Sequence, residues 1–189
     1  MDVANSRYPA QVAQMPVSED RPWAARLYAR HALAGLEAGV LGALLMTGWL
    51  MLASVWLHRS VWSVPNLFAT VFYGPEAYVN AFVHSSLSGV ALLLVIYGAL
   101  GVLWGVVWQE KRHPFLRLVG AFAGLLVYTL FFNFIWPHTK PLVSLYAPNR
   151  QLEVAHMLWG IMLAASPRFA RNISSATGPA EVRSGEVIL

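Results

Sequence analysis

The chain contains no cysteine. That excludes disulfides, thiolate metal sites and a cysteine nucleophile, and leaves His, Glu, Asp and Asn as the residues from which a metal site could be built. Charge is nearly as scarce, since Asp, Glu, Lys and Arg make up 12% of 189 residues while 57% are hydrophobic. With a mean hydropathy of +0.52 the composition falls outside that of soluble globular domains, and lipid is the expected solvent. There is no glycine-rich phosphate loop, no serine-nucleophile motif, no His-Glu-x-x-His and no repeat of fixed period. The net charge of +4 does not argue for nucleic acid, because the basic residues stand at the edges of apolar runs rather than along one helix face interleaved with aromatics.

What is present is a set of long apolar runs. A hydrocarbon core of roughly 30 Å needs about 20 helical residues to cross it. Residues 32–57, 82–108 and 115–136 meet that length. A fourth stretch, 150–169, is shorter and carries Glu153 and His156. The basic residues decide in its favour. With four crossings Arg7, Arg21, Arg26, Arg30, Lys111, Arg112, Arg117, Arg168, Arg171 and Arg183 share one side, against Arg59, Lys140 and Arg150 on the other. With three crossings the arginines after the last run change sides and the asymmetry vanishes. The sequence therefore predicts an all-α, integral-membrane four-helix transmembrane bundle of the bacterial inner membrane, multi-pass, with both termini cytoplasmic. Residues 1–31 form a cytoplasmic arm, polar and without the apolar core of a secretory signal. Residues 32–169 form the transmembrane domain, and 170–189 a cytoplasmic tail.

The outer connection between the first two runs is apolar, broken by Pro65 and by Gly74-Pro75, and predicts a short interfacial helix from about Asn66 to Tyr73. Pro75 suits the first position of a further helix, with Glu76 beside it complementing the positive end. Lys111-Arg112-His113-Pro114 makes a short inner turn, so the second and third crossings are expected to pack together as antiparallel neighbours. Small residues recur at helical spacing: Gly35-x-x-x-Gly39 with Gly42, Gly98 with Gly101-x-x-x-Gly105, Gly120-x-x-x-Gly124 and Gly160-x-x-x-Ala164. Such stripes let helix backbones approach closely. They serve internal packing first, and a homo-oligomer or larger membrane complex second.

Chemistry, if local, gathers on the outer side. His58, His84, His138 and His156 map there under this topology. A helix starting at Pro75 would place Glu76, Asn80 and His84 in one row, and Glu153 and His156 share a face three residues apart. His84, Glu153 and His156 are thus the metal-ligand set to test, with Glu76, His58 and His138 as additional ligands, because imidazole with carboxylate suits zinc, iron or manganese. His84 and His156 are also the one axial pair that haem could use. The plainer reading is a structural polar cluster tying the second crossing to the fourth. Glu37, inside the first crossing and off its glycine stripe, would snorkel, pair with Arg30, face another subunit or couple protons.

Gly35-Leu36-Glu37-Ala38-Gly39, His84, Gly120–Gly124 and Ala155-His156-Met157-Leu158-Trp159, in this order, resemble the YagU-like bacterial inner-membrane proteins. The resemblance implies a small helical inner-membrane protein without an assigned reaction. Three readings of function remain in view: a non-enzymatic structural, assembly or envelope component that needs no cofactor; a metal- or haem-binding redox or enzymatic protein; and a small transporter.

Overall fold

The computed structural model describes residues 22–108 and 114–176. Those residues form helices α1 (Pro22–Trp56), α2 (Ser63–Tyr73), α3 (His84–Trp108), α4 (Leu116–Leu130), α5 (Trp136–Thr139), α6 (Pro141–Tyr146), α7 (Asn149–Leu163) and α8 (Ser166–Ala176), with no strand among them. Among the described residues three helical stretches are long and apolar enough to cross a membrane: Ala25–Trp56, His84–Trp108 and Leu116–Thr139. The protein is therefore a membrane protein, all-helical among the described residues.

Several boundaries differ from expectation. Helix α1 starts at Pro22, inside the expected polar arm. Pro22 fills a first-turn position that needs no N–H, and Ala24, Ala25, Leu27 and Ala29 are strong helix formers. The rest of the expected arm, residues 1–21, and tail residues 177–189 lie outside the described residues, as does the inner turn at 109–113. The fourth stretch is not one helix. It breaks at Ala164–Ala165, so that α7 has 15 residues, and α8 carries helix into the expected tail.

Helix α1 closes at its far end on His58, which adopts the left-handed conformation (φ 55°). His58 N donates to Val55 O (2.9 Å) and Arg59 N to Ser54 O (2.8 Å), the pair of bonds that satisfies the last carbonyls of a helix. The third apolar helix contains one wide turn, Phe131–Ile135. Pro137 two residues later has no N–H to return to the Asn133 carbonyl, and the widened turn lets the helix continue to Thr139.

Glycine decides which helices meet. A Cβ on Gly101 would stand 2.7 Å from Gly39 Cα, and one on Gly105 2.9 Å from Gly35 Cα, so α1 and α3 touch backbone to backbone, antiparallel. On the other side a Cβ on Gly124 would stand 2.8 Å from the His156 carbonyl carbon, and one on Gly160 2.8 Å from Gly120 C. This zips α4 to α7 in the same way. Helix α7 also runs along α1, with Trp159 Nε1 donating to Gly39 O (3.3 Å) and Trp49 Nε1 to Gln151 O (3.1 Å). The expected packing of the second crossing against the third is not observed. Helices α3 and α4, adjacent in sequence, have their extensive contacts elsewhere, α3 on α1 and α2 and α4 on α7. Complementary glycine stripes override the proximity that a short turn imposes.

The helix expected in the outer connection exists but is not loosely seated. Residues Ser63 to Thr70 of α2 are all buried, and α2 lies against α3, where a Cβ on Gly89 would stand 3.0 Å from Ala69 N. Asn66, fully buried, holds the return of the chain. Its Nδ2 donates to Val79 O (2.6 Å) and Ala81 O (2.9 Å), and its Oδ1 accepts from Ser86 Oγ (2.5 Å). Leucine at this position would leave two carbonyls and a hydroxyl without their partner. Asn66→Leu is expected to cost about 2–4 kcal/mol and to open residues 78–83 to protease, read by thermal unfolding in detergent and limited proteolysis. An unchanged melting point and cleavage pattern would contradict this role.

Candidate functional site

The polar centre of the molecule is built on α7. His156 is 0% exposed because it faces the two glycine-lined helix pairs at once. Its carbonyl lies against Gly124 of α4, while its ring points toward α3. Nδ1 is 2.6 Å from Leu152 O, and a carbonyl can only accept, so Nδ1 carries the hydrogen. Nε2 is 2.5 Å from Tyr97 Oη. The neutral ring therefore accepts the Tyr97 O–H, and both ring nitrogens are engaged.

Aromatic rings enclose this pair. Tyr97, Tyr128 and Phe132 meet the imidazole near edge to face, with centroids 5.4, 5.4 and 5.8 Å away. Trp159 stacks edge-on against Tyr97 at 5.2 Å, and Phe131 lies 6.4 Å from it. These bulky groups bridge α3 and α4, which lack close backbone contact. In an apolar interior a fully paired polar group fixes one arrangement, because any other leaves it unsatisfied.

The predicted ligand set is not assembled. Tyr97, not His84, reaches His156, and His84 lies thirteen residues before Tyr97, roughly 20 Å along α3. His84 is exposed at the start of that helix and Glu153 is exposed on α7. The row of Glu76, Asn80 and His84 does not form either. Gly74, at φ 79°, turns the chain into a single 3-10 turn, Pro75–Ala77, and no helix resumes before His84, so Glu76 and Asn80 are exposed off the helix. His58 is exposed at the end of α1, and His138, also exposed, turns Nδ1 back onto Phe134 O (2.6 Å). Among the described residues no three His, Asp or Glu side chains group to hold a metal. His156 has no free lone pair for one, and the separation from His84 is too great for an axial pair on haem. These residues do not fit either group.

The polar tie between the second and fourth stretches is present, but its partner is Tyr97. Histidine and carboxylate spacing does not reveal the phenols that complete the cluster. The signal was available: Tyr97, Tyr128 and His156 are polar-tipped residues deep within otherwise apolar stretches, and such residues seek one another. Glu37 is exposed on α1 among exposed Leu33, Leu36, Leu41 and Leu44, directed away from this centre. No family model, curated protein or solved structure matches the chain.

Proposed function

We propose that the chain is a non-enzymatic component of a bacterial inner membrane that supports a larger assembly. In this reading α7 with the start of α8 makes a fourth crossing, and both termini stand on the arginine-rich cytoplasmic side. Antiparallel packing of α7 on α1 and α4 supports the fourth crossing, since a helix returning beside two crossing helices shares their depth. The resemblance to YagU-like proteins agrees with this architecture and brings no reaction with it.

The assembly role rests on Glu37. Gly35 packs at the level of Gly105, which puts Glu37 about five residues, roughly 8 Å, inside the inner end of α3. A carboxylate on the lipid-facing side of a crossing helix is costly unless a partner supplies a donor or a path to water. The glycine stripes that could have served an oligomer are already occupied within the chain, so the partner surface is the leucine-rich face around Glu37. Photo-crosslinkers placed at Leu36 and Leu41 in cells are expected to give adducts heavier than the 20.9 kDa chain, weakened by Glu37→Leu. Recovery of only the free chain from every position, and of a monomer alone in mild detergent, would overturn the assembly role.

A further inference from the structure

At the inner ends of α4 and α7 the helices leave a cavity of ≈ 420 Å³, walled in part by Pro114, Leu116, Arg117, Pro167, Arg168 and Arg171. Three arginines from two elements distant in sequence converge on it. The only acidic residues among those described are Glu37, Glu76 and Glu153, and none lines this cavity. Glu76 and Glu153 belong to the opposite end of the fold. Three like charges around one space repel each other and make a positive potential that an anion relieves.

The location defines the anion. Leu116 opens the apolar helix Leu116–Thr139, so Arg117 stands where a crossing helix emerges at the headgroup level. Helix α8 is two-sided: Ala170 is buried and Phe169 half-buried, while Arg168 and Arg171 are exposed. Its apolar side packs on α1, which leaves Arg168 and Arg171 directed outward, beside Arg117, at the level where lipid headgroups lie. Guanidinium groups match phosphate oxygens in planar, two-bond geometry, and basic pockets between helices at the cytoplasmic side suit phosphate-bearing lipid heads. The geometry points to a binding site for the phosphate of an anionic lipid headgroup, held by Arg117, Arg168 and Arg171. It does not depend on the assembly role of the Glu37 face.

Native mass spectrometry of the full chain in neutral detergent, with phosphatidylglycerol, phosphatidylcholine or inorganic phosphate as the probe, tests it. Phosphatidylglycerol is expected to be retained in preference to phosphatidylcholine, and millimolar inorganic phosphate not to displace it. Arg117→Gln/Arg168→Gln/Arg171→Gln should weaken retention by about tenfold or more, while Arg59→Gln/Lys140→Gln, which removes two cations at the other end, leaves it unchanged. The three arginines are exposed, so the variant should keep its helical circular dichroism. Salt gives a second reading without any substitution, because retention by the unaltered chain should fall as ionic strength rises and screens the pair. Undiminished retention in the triple variant, salt-insensitive retention, or occupancy by inorganic phosphate without lipid would each overturn the site.

Discussion

Gly101→Leu is expected to separate α1 from α3 and to destabilise the protein by about 3 kcal/mol or more, the upper end of what overpacking costs. The first added carbon alone would stand 2.7 Å from Gly39 Cα and 3.0 Å from Gly39 N, and neither is a flexible side-chain end that can move aside. Gly101→Ala should show a smaller loss in the same direction. The contrast is Gly48, on the same helix as Gly39, exposed and with nothing within 4 Å of an added Cβ. There alanine removes only the conformational freedom of glycine, so Gly48→Ala should be neutral or should stabilise by about 0.5–1 kcal/mol. Thermal unfolding in one detergent, or titration with a denaturing detergent, reads both. If Gly101→Leu melts with the unaltered protein, α1 and α3 are not in backbone contact.

The second large effect is expected at the buried imidazole. His156→Ala removes the acceptor of the Tyr97 hydroxyl and the donor to Leu152 O and leaves a hole among the rings of Tyr97, Tyr128 and Phe132, for a loss of about 3–5 kcal/mol. Tyr97→Phe keeps the ring and deletes only the hydroxyl. It leaves Nε2 without a donor and should cost about 1–2 kcal/mol. In a double-mutant cycle of Tyr97→Phe with His156→Phe the two losses should couple by about 1 kcal/mol, the scale of interhelical hydrogen bonds in membranes. Strict additivity in the cycle would show that the phenol and the imidazole do not stabilise one another.

The three long apolar helices could be read from the sequence because hydropathy and length act locally, and the helix before Gly74-Pro75 because its punctuation does too. Partner choice could not. The short turn around Lys111 pointed to α3 on α4, whereas Gly35 and Gly39 fit Gly101 and Gly105 and Gly120 fits Gly160, a match between surfaces that no single stripe reveals. Histidine spacing misled for a similar reason. The row of Glu76, Asn80 and His84 assumed an unbroken helix after Pro75, but buried Asn66 captures the Val79 and Ala81 carbonyls and holds that stretch out of helix. His156 belongs to the expected set with His84 and Glu153, but its partner is Tyr97, a polar tip within an apolar run that histidine and carboxylate spacing does not single out.

Whether α7 crosses the membrane beside α1 and α4 is the point on which sidedness, the lipid site and the Glu37 surface all converge. The absence of native cysteine makes the test direct: single cysteines replacing Arg59, Lys140 and Ser184 are probed in intact cells with a membrane-impermeant maleimide. Labelling at 59 and 140, with Ser184→Cys labelled only after the membrane is opened, is the expected result. Labelling of Ser184→Cys in intact cells together with 59 and 140 would contradict the fourth crossing and the placement of both termini on one side.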